Sequence, residues 1–283
     1  MFAHNTPNTP KTYDLKNNHK TGRRSISTTI RIRMRSKKEQ EAVLPGSGAK
    51  CCIADIGSDL AVVVTHPWGP LGGNMQNNVV LAIVLFFQAL GVTTLRFDFA
   101  TIQIGRGYRE VEQVVEAANF LLGGGNKRDD PNQPSKRRAP KAILLVGYSY
   151  GSLITGSASA DIPSCIGCIS IAPPIAFKHW LLLFNADHHV SQAKKRSSLP
   201  RLMVIGDEDN FSNQDSFLTF VDSFPSDSTS GAIVKDANHF FHRREKDLTN
   251  VIGQWLLDTY SVSLGGDLKR LGKVEFSTPI PNS

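Results

Sequence analysis

Apolar residues fall along this chain in short dense runs, set between longer stretches where apolar and polar positions alternate at helical spacing. The runs at 60–65 (LAVVVT), 92–97 (VTTLRF), 142–146 (AILLV), 166–171 (IGCISI) and 202–205 (LMVI) have the length and β-branched content of buried strands. Residues 50–56 and 232–234 read as two further strands, and 27–35 (SISTTIRIR) alternates polar and apolar positions as an edge strand does. Between them, 74–90 reads as a helix stopped by Gly91. Residues 108–122 place Val111, Val114, Val115, Ala118 and Leu121 on one helical face, and 248–260 form an amphipathic closing helix. Strands alternating with helices predict a mainly parallel sheet covered on both faces. Residues 126–140 have the composition of a mobile surface loop.

Charge changes the picture at one place. The chain of 283 residues carries +7, but residues 1–40 hold ten Lys or Arg against Asp14 and Glu39, and the remainder is near neutral. The basic character therefore belongs to a tail and gives no reason to expect nucleic acid as a partner. Residues 1–26 read as a disordered basic tail, 27–262 as the folded domain and 263–283 as a C-terminal tail. No secretory signal is visible. The longest apolar run is too short to span a bilayer, so the expected location is cytoplasmic, with organellar targeting by the basic tail as the alternative. Adjacent Cys51 and Cys52, and Cys165 and Cys168 three apart, are expected to point to opposite faces of their strands as buried free thiols. No pattern calls for a metal or an organic cofactor.

The candidate chemistry begins at 147–151, Gly-Tyr-Ser-Tyr-Gly, directly after an apolar strand and before a helix with small residues. That context makes Ser149 a candidate nucleophile on a tight strand-to-helix turn, where a Cβ at Gly147 or Gly151 would crowd its neighbours. Two acids and two histidines compete for the roles that would activate it. Asp207 and Asp209 follow one strand, with the G-x-x-D spacing favouring Asp209; His239 and His242 follow the last, with His239 nearer the strand end. The order Ser149, Asp209, His239 then suits a hydroxyl, an orienting carboxylate and a base that takes and returns its proton. An oxyanion would need two fixed N–H donors. Tyr150 offers one; the loop at 66–73 offers the other through Trp68 or, next, Gly69, since Pro67 has no N–H. His66 reads as structural and Asp98 as a loop anchor. Tyr148, Phe177 and Trp180 are candidates to contact the substrate.

As an ordered set, His66-Pro67…Gly72-Gly73, Arg96-Phe97-Asp98-Phe99, the 147–151 pentapeptide, Gly206…Asp209 and His239-Phe240-Phe241 resemble the α/β-hydrolases, and within them small esterase- or peptidase-like serine hydrolases. The resemblance covers about residues 27–260 and departs from the family at 100–107. It implies an α/β-hydrolase fold, a mostly parallel sheet with a short cap or none, and hydrolysis of an ester, thioester or amide of a small-molecule acyl substrate. Two other functions stay open: a non-catalytic binding or scaffold protein that keeps the fold, and a serine peptidase. Oligomeric state is not legible.

Overall fold

The computed structural model describes residues 12–13, 39–123, 139–183 and 185–276. The strand expected over 27–35 and nearly all of the loop expected over 126–140 lie outside them. Nine strands form one sheet: β1 (Thr12–Tyr13), β2 (Gln40–Val43), β3 (Lys50–Ala54), β4 (Leu60–Thr65), β5 (Thr93–Phe97), β6 (Ala142–Tyr148), β7 (Cys165–Ile171), β8 (Arg201–Glu208) and β9 (Thr229–Asn238). Their order across it is β1-β9-β8-β7-β6-β4-β5-β3-β2, parallel except for the antiparallel pairs β2–β3 and β3–β5. The helices are α1 (Asn78–Ala89), α2 (Tyr108–Leu122), α3 (Tyr150–Ala158), α4 (Lys178–Leu181), α5 (Ala186–Lys194), α6 (Gln214–Asp222), α7 (Glu245–Thr259) and α8 (Ser261–Leu264).

The strand period of two sorts each apolar run into two cores. Leu60, Val62 and Val64 of β4 join Leu144, Val146 and Tyr148 of β6 under α1 and α7. Ala61 and Val63 join Ile143 and Leu145 under α2 and α3 on the other face. Strands buried on both sides are why these segments read as continuous apolar runs. Helix α1 starts where the Asn77 side chain accepts the Val79 N–H at 3.1 Å.

Three expectations need correction. Cys165 and Cys168 share one core face, because Ile143 pairs with Cys165 while Leu144 pairs with Gly167. The residue skipped between them is a β-bulge, which breaks the alternation that would have set the two apart. All four cysteines are free and buried, and burial pushes Cys51 and Cys165 up to about 11 and Cys168 to about 12. The folded domain also runs past residue 262: Leu264, Leu268, Leu271 and Phe276 lie in the core beside α1 and α7. Within the tail, Thr12 and Tyr13 pair in parallel with Gly231 and Ala232. Backbone pairing at a sheet edge needs no apolar pattern, so composition gave no sign of it.

Candidate active site

Strand β6 ends at Tyr148 and helix α3 begins at Tyr150, leaving Ser149 on the turn between with φ 53° and ψ −121°. A side chain there costs about 1–3 kcal/mol, so the turn must be held by its surroundings. The Ser149 N–H donates to the Ile171 carbonyl at 2.8 Å, and the Ser152 hydroxyl donates to the Ser149 carbonyl at 2.6 Å. Glycines let three elements close on the turn. A Cβ on Gly147 would lie 2.4 Å from the Gly151 carbonyl oxygen, and one on Gly151 would lie 2.7 Å from that of His66.

His239 and Asp209 arrive from the next strand ends. His239 Nε2 is 3.0 Å from Ser149 Oγ, and His239 Nδ1 is 2.9 Å from Asp209 Oδ2. A carboxylate only accepts, so Nδ1 donates and Nε2 is left to accept the serine proton. All three residues are buried. Gly206 pairs with Val234, but Glu208 pairs with Asn238, so β9 carries two more residues than β8 across this interval. The extra pair is taken up as a bulge, with Asp236 at a positive φ of 52°, and the kink it makes lies just before His239. Asp207 is not the partner of His239. Its Oδ1 accepts the Ala237 N–H of the bulge at 3.2 Å. His242 is exposed on the following turn.

Tyr148 lines no opening at the site. It is buried in the α1–α7 core, and its hydroxyl donates to the His239 carbonyl at 3.0 Å. Its place was readable from the period of two, which puts Tyr148 on the face of Leu144 and Val146. Phe211 escaped the sequence reading. Its N–H donates to Asp209 Oδ1 at 2.7 Å while its ring lies 4.2 Å from the His239 ring, centroid to centroid. Phe177 continues this row, with its ring 5.5 Å from that of Phe211.

The loop after β4 is shaped by a second unread residue, Gln103. Its carbonyl accepts the Trp68 indole N–H at 2.7 Å, and its side-chain oxygen accepts the Gly69 N–H at 2.7 Å. Gly69 is therefore no free donor. The loop at 100–107, where the family pattern breaks, is the part that occupies it. Trp180 packs edge-on against Trp68 at 5.2 Å. His66 is a neutral clamp: its Nε2 accepts the Phe99 N–H at 3.0 Å, and burial lowers its pKa. Asp98 accepts the Met75 N–H at 2.7 Å, so His66 and Asp98 tie the ends of β4 and β5 together.

The fold that carries these residues recurs in solved structures. An α/β serine hydrolase homologue from Coxiella burnetii is 21% identical and superposes over 77% of this chain and 96% of its own, with TM-score 0.59. An α/β serine hydrolase without lid from Xanthomonas campestris is 18% identical over 80% and 97%, with TM-score 0.58. The chain has the α/β-hydrolase fold. An esterase from Pyrococcus furiosus shares that hydrolase fold at 17% identity over 77% and 91%, with TM-score 0.57. No family model matches the chain. An uncharacterised protein of Rickettsia prowazekii is 24% identical over 206 residues, 70% of this chain and 79% of that one. Among the described residues of this hydrolase fold, no group of three His, Cys, Asp or Glu is placed to hold a metal ion. No helix among them is long and apolar enough to cross a membrane.

Proposed function

We propose that this protein is a serine hydrolase that cleaves an ester, thioester or amide through an acyl-enzyme on Ser149. The observation that carries the reading is the continuous line from Ser149 Oγ through the His239 ring to Asp209, with contacts of 3.0 and 2.9 Å. A serine hydroxyl is a weak nucleophile at neutral pH and needs a base within hydrogen-bond reach. His239 takes the hydroxyl proton as Oγ attacks the substrate carbonyl, and Asp209 steadies the imidazolium that forms. His239 then returns the proton to the leaving group. Water deacylates the serine by the same route in reverse. The oxyanion is held by the Tyr150 N–H at the start of α3 and the Trp68 N–H of the loop after β4. An acyl or alcohol group meets Phe177, Phe211, Trp68 and Trp180, an aromatic setting that favours an ester over a peptide terminus.

The test is labelling with a fluorophosphonate probe, followed by turnover of p-nitrophenyl esters of graded chain length. Ser149→Ala is expected to lose labelling and to lower kcat by about a millionfold while remaining folded. A wild-type chain that takes no probe and turns over no ester would make it a binding protein on the hydrolase fold. Equal labelling of wild type and Ser149→Ala would place the nucleophile elsewhere.

A further inference from the structure

The loop at 100–107 is anchored near both ends. The Ala100 N–H donates to the Gln113 side-chain oxygen at 2.8 Å. The Arg106 carbonyl accepts from the Asn185 amide at 3.2 Å and from His189 Nε2 at 2.6 Å. Between these anchors Gln103 is buried, while Ile102 and Ile104 on either side of it are exposed. Gln103 takes a φ of 53°, uncommon for any residue with a side chain. A backbone outlier of this kind persists only where its surroundings impose it.

Gln103 grips Trp68 and Gly69, the two residues whose N–H groups could complete an oxyanion site. Its carbonyl accepts the Trp68 indole N–H and its side-chain oxygen accepts the Gly69 N–H, each at 2.7 Å. The approach depends on glycine. A Cβ on Gly69 would lie 2.8 Å from Gln103 Nε2, and its three nearest heavy atoms all belong to the Gln103 side chain. The Trp68 carbonyl accepts the Leu71 and Gly73 N–H groups at 3.2 and 3.1 Å, so the peptide joining Trp68 to Gly69 is pinned at both its polar atoms. The peptide before it is held at one. The Pro67 carbonyl accepts His66 Nδ1–H at 2.5 Å, and in a trans peptide the N–H points the opposite way, so the Trp68 N–H is turned away from His66. Among the described residues nothing accepts that N–H.

We propose that Gln103 is a positioning residue for the hydrolysis: by occupying the Gly69 N–H and holding the Trp68 indole, it leaves the Trp68 N–H as the free donor of the pair and fixes its aim at the oxyanion. The inference rests on the serine hydrolase reading above. Gln103 touches no reacting atom in this account; it acts through the peptides on either side of Trp68. Release of the Gly69 N–H frees the second peptide to turn, and the donor then meets the developing charge in a poorer geometry.

The experiment is a double-mutant cycle on the full chain, read as kcat and KM for p-nitrophenyl acetate. Gln103→Met keeps the length of the side chain and removes the acceptor. Gly69→Ala leaves Gln103 in the chain but drives its amide off, and serves on its own should Gln103→Met fail to fold. Each single variant is expected to lower kcat by about tenfold to a hundredfold, with KM within about threefold of wild type. The double variant is expected to lose no more than either single one, because both break the same contact. Inhibition by phenylboronic acid, whose serine adduct is tetrahedral, should weaken in step with kcat. A Gln103→Met chain with wild-type kcat overturns the proposal. So does a double variant whose loss is the product of the two single losses, and so does a change confined to KM, which would make Gln103 a wall of the substrate site. A wild-type chain that takes no fluorophosphonate and turns over no ester removes the hydrolase reading itself and this inference with it; the other three results remove the inference alone.

Discussion

Phe211 meets the candidate site twice, through its N–H on Asp209 and its ring beside His239. Phe211→Leu keeps the N–H and removes the ring, freeing the imidazole to tilt away from Ser149. The expected result is a fall in kcat of up to about a hundredfold with little change in KM. A kcat equal to wild type would show that Asp209 and Tyr148 hold His239 unaided. A second prediction follows from His66, whose pKa burial lowers from 6.5. The unfolded chain takes up the proton more readily than the folded one, so the stability at stake is fully present above pH 6.5 and lost as pH falls below it. Buried His189 acts in the same sense. Melting temperature should fall on acidification from about pH 8 to about pH 5, with a shallower slope in His66→Gln. At this scale Ser149, Asp209 and His239 were legible because each sits within a few residues of a strand end. Gln103 and Phe211 were not, because their roles depend on where loops fold back. Gln103 even adopts a positive φ of 53° that no glycine announces.

Loops and strand ends carry the next set of consequences. The loop after β4 turns so tightly that a Cβ on Gly73 would lie 2.2 Å from the Pro67 carbonyl oxygen. Gly73→Val must therefore displace the segment that carries the Trp68 N–H. The expected cost in kcat is about 10²–10³, the effect of losing one oxyanion donor, and it is checked by comparing kcat values on one ester. Normal turnover by Gly73→Val would remove this loop from the oxyanion site. Most strands were legible because strands buried on both faces are written as unbroken apolar runs. Helix α6 was passed over, since its buried contacts rest on Phe217 and Val221, a single i,i+4 pair. Strand β2 was missed too: three of its four residues are exposed, so it has no apolar run to read. The bulge in β7 could not be seen at all, because an extra residue leaves no mark on composition.

Over the whole molecule, the boundary that composition drew at residue 262 cuts through the core. Leu264, Leu268, Leu271 and Phe276 are each buried, and burying such side chains contributes about 1.5–3 kcal/mol apiece. Their sum rivals the total stability of a typical domain, about 5–15 kcal/mol. A chain ended at residue 262 is expected to be insoluble or molten, as judged by near-UV circular dichroism and thermal melting; a cooperative melt near that of wild type would show the C-terminal segment to be dispensable. These residues were unreadable as core because they lie in short turns with no sustained period. The two extra residues of β9 have a different kind of consequence. They are an insertion whose length is even, so removing Lys235 and Asp236 would keep every side chain on its own face and leave the sheet foldable. It would also straighten the kink that β9 makes just before His239, so the ring would lose its aim at Ser149. In a lineage, the proposed hydrolysis would thus be switched off by one small deletion without dismantling the body that carries it, and a descendant would inherit an intact scaffold free for other selection.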